Sequence, residues 1–333
     1  MYIKKKIPFN KIFFWLRKHL FWVKIVVFIG CVIYIVIKLS KIVNLYQRAN
    51  VEIEHAKNLF SNIYFVVALF LVFINWGIEA YKWKILTSTD NKLTFYQSFK
   101  IVLAGLGLAS IVPLGIGDYI GRLNFYNYKN RRQTLIYIWL GHQCQFLATT
   151  FFASLSFIFF YSNPNIALNL NKIDTFLKIL SFILTIFLLL LIVFLNKAIK
   201  ALSKLLRHTF NAVSVSFKKR FLTLLLSFTR YFVFIFQFYL IFLCFNFESD
   251  FLIITSAICL VFFLKSILPA FNFFSDLGVR EFASIYIFDK LLANEVTILA
   301  VSLTIWCMNI FLPSIAGIFL ILINKRFGFY KKI

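Results

Sequence analysis

The sequence predicts an all-α integral membrane protein with six long spanning helices and two Pro-broken re-entrant hairpins, arranged as an inverted repeat. Three observations carry this prediction. Hydrophobic residues fill 61% of the 333 positions and charged residues only 14%, against roughly 25% charged in a soluble domain, so a soluble fold has no room to hide the apolar surface. Apolar runs about 20 residues long recur, the length a helix needs to cross a hydrocarbon core about 30 Å thick. The Lys and Arg residues gather in the short segments between those runs. No segment alternates in the manner of an outer-membrane strand, which leaves helices as the spanning element.

The first run, Leu20 to Ile37, follows the basic start Lys4 to Lys6 and has no small-residue cleavage site after it. It reads as a retained helix rather than a signal peptide. The runs Leu59 to Ala80, Leu135 to Tyr161, Phe176 to Leu195, Phe221 to Phe247 and Val296 to Ile323 complete the six. Two further regions are apolar but interrupted, one from Ile101 through Pro113 to Phe125 and the other from Phe251 through Pro269 to Leu292. All belong to one transmembrane domain over residues 1–333, and the C-terminus carries no lipid-anchor pattern.

Charge sets the expected orientation. With both termini cytoplasmic and each interrupted region returning to its side of entry, the cytoplasmic segments hold 26 Lys and Arg and the opposite side 5, the asymmetry of a polytopic membrane protein. A single crossing at the first region would instead place Arg122, Lys129, Arg131 and Arg132 outside. A single crossing at the second alone would expel Lys325, Arg326, Lys331 and Lys332. The formal charge of +24 is therefore an orientation signal and not a nucleic-acid footprint. The basic stretch Lys197 to Arg220 adds a contact for anionic lipids at the cytoplasmic face.

Non-helical backbone at membrane depth is tolerated only where protein or a water-filled cavity covers it, so the hairpins are expected to face an interior cavity from opposite sides. Their sequences echo one another. Ser110-Ile-Val-Pro113 matches Ser266-Ile-Leu-Pro269, and Asp118 with Arg122 matches Asp276 with Arg280. The flanking runs agree in kind, giving candidate repeats at 59–161 and 221–323, a recurring transporter design.

In each hairpin a proline and a turn precede an Asp, with an Arg one helical turn later on the same face. A capped helix with an internal ion pair is one reading. The other starts from the cost of an ionised group in the bilayer, about 2.5 to 3.5 kcal/mol on insertion scales, which drives such groups toward a cavity or partner. A helix start beside an arginine suits a phosphate, through free amides and a bidentate guanidinium. Arg122, Arg280, Asp118, Asp276 and Glu281, with Gly117 and Gly278 in the turns, are thus candidate substrate-binding residues for a phospholipid or lipid-linked headgroup.

Elsewhere, Glu79 beside Lys82 and Lys84 reads as a local pair at a helix end, with Trp76 and Trp83 as interface anchors. His142, Gln143, Gln145, Arg230 and Gln237 read as interhelical hydrogen-bonding groups. The five Cys and four His have no metal-ligand spacing, so no metal or cofactor is expected. No enzyme motif is present; Gly105-x-Gly107 is too short for a phosphate loop and lies in an apolar run.

The stretch Ile267 to Glu281, ending Gly278-Val-Arg-Glu281 and followed by a run containing Leu312-Pro313, resembles the lysylphosphatidylglycerol synthase transmembrane-region family of flippase-like proteins. Ile111 to Arg122 looks like that family's other Pro and Gly turn with an acidic residue and Arg, and Tyr81 to Leu86 like the basic, aromatic helix end before it. The family's paired glycines in the second turn are replaced here by Asn272 to Ser275. The resemblance implies lipid translocation or a related lipid-handling role in a bacterial plasma (inner) membrane, with Arg122 and Arg280 binding phosphate from opposite leaflets; a membrane-embedded enzyme or accessory subunit of lipid or lipid-linked sugar metabolism and a structural envelope-assembly partner are the alternatives. It also implies that Asp118, Asp276 and Glu281 orient them or meet a cationic headgroup. The aminoacyltransferase domain of the two-domain synthases has no counterpart in these 333 residues, so lipid aminoacylation is not expected.

Overall fold

The structure, a computed structural model, describes residues 61–89, 92–112, 116–125, 130–162, 172–205, 214–247, 249–267, 280–281, 283–288, 291 and 295–324. The expected first helix at Leu20 to Ile37, the turns at Pro113 and Pro269, Asp276 and Gly278 lie outside these residues. The described part is helical, without strands, and five of its helical stretches are long and apolar enough to span a membrane.

Helix α1 (Ile63–Thr87) starts where Asn62 accepts a hydrogen bond from the Tyr64 amide at 2.9 Å. Helix α2 (Phe95–Ala109) opens on a capping box between Thr94 and Gln97. After the break come α3 (Ile116–Phe125) and α4 (Arg131–Ser162), the latter capped by Asn130 accepting from the Gln133 amide. Then follow α5 (Lys172–Val193), α6 (Leu195–Leu205), α7 (Phe217–Cys244) with Ser216 as its cap, and α8 (Phe251–Ile267). In each cap a side-chain oxygen takes up an amide that the first helical turn leaves unpaired. The last span is composite: α9 (Glu295–Trp306), a π turn at Cys307–Phe311, and α10 (Leu312–Ile323).

The expected spans from 59, 135, 176, 221 and 296 onward are all present, with ends shifted by a few residues where caps rather than hydropathy decide. Helices α1 and α7 run antiparallel, since Gln237 reaches the Ala68 carbonyl and Arg230 reaches Asn75. Helix α4 packs on α7 and α8 through rings, with Phe152 stacked on Tyr231 at 5.1 Å and Phe157 edge-on to Phe263 at 6.2 Å, and on α5 through the Ser154 hydroxyl, which donates to Ser181 Oγ at 3.1 Å. Lipid tails are as apolar as these rings, so close packing rather than water exclusion holds the helices together. On α5, Ile183, Ile186, Phe187 and Leu190 stay exposed and form its outward face.

The interrupted regions double back. Gly117 on α3 lies against the Leu108 carbonyl and Gly121 against Gly105, so sequence rises along α3 as it falls along α2, and the two helices are antiparallel. Consistently, the end of α1 and the start of α4 meet at one end of the bundle: Thr89 Oγ1 is 3.1 Å from the Tyr137 hydroxyl, and Lys219 at the start of α7 donates to the Leu86 carbonyl at 3.0 Å. In the second region α8 begins beside α7, with Phe251 edge-on to Tyr239 at 4.8 Å. The helical residues 283–288 return to that end, where Phe288 lies 4.8 Å from Phe242. Ser110 and Ser266, the matched serines before the prolines, each bond back into the last turn of their helix, to the Gly107 and Phe262 carbonyls at 2.7 and 2.6 Å. Among the described residues, each of the stretches 61–162 and 217–323 holds a long helix, a shorter helix, a short helical stretch returning beside it and a long helix.

Candidate functional site

The break before α3 places Asp118 in its first turn and Arg122 in its last. Four residues apart, they share one face, and Arg122 Nε donates to Asp118 Oδ1 at 2.8 Å. That face turns inward, and both residues are buried. Helix α2 permits the approach because residue 105 has no side chain: a Cβ there would sit 2.2 Å from Asp118 Oδ1. Gly107, two positions on and so on the far side of α2, receives α10 instead, where a Cβ would lie 2.6 Å from the Ile318 amide nitrogen. The glycine pair in the apolar run is a packing device that lets α2 fit between two helices.

Arg122 also reaches across to α1. Its Nη2 donates to Glu79 Oε1 at 3.2 Å, while Glu79 Oε2 meets Lys82 Nζ at 2.6 Å and Arg230 Nη1 of α7 at 3.2 Å. Of the two lysines flanking Glu79, Lys82 supplies the local pair and also reaches toward the Gly141 carbonyl at 3.5 Å. Arg230 Nε is held by Asn75 Oδ1 at 2.7 Å. His142 Nε2 lies 2.9 Å from Asp118 Oδ2, and its ring packs at 5.7 Å from Tyr119. Glu79 is eight residues, about 12 Å, from the end of α1, so the cluster lies inside the bundle and not at its rim.

Trp83 and Trp76 correct an expectation. Both are buried rather than at an interface, and each lies under a guanidinium, Arg122 over Trp83 at 5.2 Å and Arg230 over Trp76 at 5.0 Å. An aromatic face attracts a cation through its quadrupole, more strongly where water is excluded. Three cations, Lys82, Arg122 and Arg230, thus share two carboxylates, Glu79 and Asp118. One positive charge is left over. Two members reach the outside of the cluster: the Arg230 side chain is 20% exposed and that of His142 48%.

The second hairpin supplies a separate cluster. Arg280 is buried; its Nη2 donates to Glu281 Oε1 at 2.6 Å and its Nε to Ser302 Oγ of α9 at 3.0 Å. Ser302 completes the triangle by donating to the same Glu281 oxygen at 3.1 Å. Ser302 is seven residues into α9, about 10 Å from its start, so this cluster lies toward the opposite end of the bundle from Glu79. Arg122 and Arg280, paired by sequence, occupy different halves of the molecule.

The sequence profile of the lysylphosphatidylglycerol synthase TM region matches residues 21–317. The chain belongs to that family. It is accordingly a multi-pass membrane protein of lipid metabolism or translocation. No curated protein and no solved structure matches it.

Within this lysylphosphatidylglycerol synthase TM-region protein, Asp118 and Arg122 lie on α3, and Arg280 and Glu281 are helical. Gly117 is a packing residue, since a Cβ there would meet the Leu108 carbonyl at 2.2 Å. Sequence reading did not join Glu79, Lys82 and Arg230 to the Asp118 and Arg122 pair. One signal was available: a carboxylate in the last turns of an apolar run, and an arginine within another, both need partners.

Proposed function

We propose that the protein is a lipid translocase that carries a phospholipid or lipid-linked phosphate between leaflets of a bacterial plasma (inner) membrane, with both termini cytoplasmic. The observation that carries this reading is the charge excess around Glu79. Three cations, Lys82 and Arg122 buried and Arg230 partly exposed, against two carboxylates, with His142 also reaching outward, favour an incoming anion over an empty site. A diester phosphate carries the one negative charge that balances the cluster, and guanidinium groups bind phosphate oxygens in a bidentate manner. Arg280, toward the other end of the bundle, offers the headgroup a second station. In this reading the two hairpins are re-entrant, the repeats at 59–161 and 221–323 are inverted, and the chain moves lipid without modifying it. Anionic lipids at the cytoplasmic face contact Lys197 and Lys200, both exposed on α6.

The test is leaflet exchange of fluorescent phospholipids in proteoliposomes, read by quenching of the outer leaflet. Exchange above that of empty liposomes is expected for at least one headgroup class, with Arg122→Ala and Arg280→Ala each losing most of it. Exchange no faster than in empty liposomes, across anionic, zwitterionic and polyprenyl-phosphate lipids, would sink the proposal.

A further inference from the structure

The last spanning stretch is broken where it meets the Glu79 cluster. Pro313 has no N–H, so the carbonyl of Asn309, four residues earlier, loses the donor a regular helix would supply. Just before it the backbone widens over Cys307–Phe311, and the Leu312 N–H donates to the Cys307 carbonyl five residues back. Lipid offers no donor to a freed carbonyl, so one must come from protein or trapped water. Here it is the indole of Trp76: Nε1–H donates to the Asn309 carbonyl at 3.0 Å, a buried bond between residues 233 positions apart. The face of the same indole lies under Arg230, whose own bonds go to Asn75 and Glu79.

Asn309 is held a second time. Its Nδ2 donates to Gln237 Oε1 at 2.9 Å, and Gln237 Nε2 donates to the Ala68 carbonyl at 2.7 Å. The break is therefore fastened to α1 and α7 together. The two pieces of the span on either side of it have different partners, α9 packing on α7 and α10 on α2. Gly317 of α10 lies so close to α2 that a Cβ would come within 1.9 Å of the Leu103 carbonyl. A swing of α10 about the break would carry α2, and with it the Asp118 and Arg122 hairpin.

We infer that Trp76 is a latch: it holds closed a hinge at residues 307–313 and ties that hinge to the Glu79 charge cluster. Anything that draws Arg230 away from Trp76 loosens the latch and lets α10 move with α2 and α3. The inference goes beyond the translocase reading and does not depend on the cargo.

Hydrogen–deuterium exchange of the whole protein in detergent or nanodiscs tests it without any transport measurement. Trp76→Phe keeps an aromatic ring under Arg230 and removes the indole N–H together with part of the ring's volume, two effects that the Pro313→Ala background separates. Peptides covering residues 303–316 are expected to exchange about threefold to twentyfold faster, equivalent to an interhelical hydrogen bond of about 0.6 to 1.7 kcal/mol. Peptides within α4 should be unchanged. Pro313→Ala returns a helix donor to the Asn309 carbonyl, so adding Trp76→Phe to it should leave exchange at 303–316 unaltered. Three results overturn the latch: no change at 303–316 in Trp76→Phe, the same increase in the Pro313→Ala background, or a rise spread across α4 and α5. Because no lipid movement is read, the latch can stand where translocation fails, and translocation can stand where the latch fails.

Discussion

Glu79 is bonded by Lys82, Arg122 and Arg230, so neutralising it leaves buried Lys82 and partly exposed Arg230 without a carboxylate, while Arg122 keeps Asp118. Removing one partner from a buried ion pair costs about 3 to 5 kcal/mol, because the remaining charge stays desolvated. Glu79→Gln, which preserves volume, is expected to lower the unfolding free energy by that order, read as a fall in the thermal midpoint in detergent. Arg230→Met in the same chain should recover part of the loss, since it removes one stranded charge. A double-mutant cycle should return a coupling of about 0.5 to 3 kcal/mol, and strict additivity would mean that the two side chains do not interact. The Asp118 to Arg122 pair was legible in the sequence, because a four-residue spacing on one helix fixes the contact locally. The Glu79 to Arg230 pair was not, because it joins helices 151 positions apart and only their packing brings them together. The tryptophans misled for the same reason: Trp at a helix end looks the same whether lipid headgroups or a guanidinium lies beside it.

The fit of α2 between α3 and α10 rests on absent side chains. Overpacking a tight contact costs about 1 to 3 kcal/mol, and both Gly105→Ala and Gly317→Ala would push a methyl group into the neighbouring helix, at 2.2 Å from Asp118 Oδ1 and 1.9 Å from the Leu103 carbonyl oxygen. Both should lower the thermal midpoint, and Gly105→Ala should also weaken the Asp118 to Arg122 pair. Gly77→Ala provides the contrast. Its added Cβ would lie 3.8 Å from the nearest atom, the Phe95 ring, so neutrality or a slight gain in stability is expected from the better helix propensity of alanine. Equal losses at all three positions would show that helix propensity, not the close approach, governs them. Hydropathy located the long helices because their length is imposed by bilayer thickness. It could not tell that Gly105 and Gly107 serve two different neighbours, since that depends on where α3 and α10 lie. Nor does it mark the π turn in the last span, since Val296 to Ile323 reads as one uninterrupted apolar run.

At the scale of the whole molecule, the contacts at the two ends of the bundle carry a claim about sidedness. Leu86, Thr89, Tyr137 and Lys219 are joined at one end, and Phe242, Phe247 and Phe288 at the other. The chain thus leaves and regains the same end across each interrupted region. In the proposed orientation, drawn from charge asymmetry, the first end faces the cytoplasm. In a background with the five native cysteines replaced by alanine, Ser88→Cys and Arg132→Cys should react with a membrane-impermeant maleimide only after the cells are permeabilised. Ser162→Cys and Asp250→Cys should react in intact cells. All four positions are exposed, so accessibility within the protein does not limit the reaction. If the first interrupted region crossed the membrane once, Ser88 and Arg132 would report opposite sides, and the antiparallel pairing of α2 with α3 would have to be abandoned. If all four positions reversed together, the pairing would stand and the orientation drawn from 26 basic residues against 5 would fall. The two claims are separable because helix pairing follows from contacts inside the protein, whereas sidedness follows from how the basic segments meet the membrane during insertion.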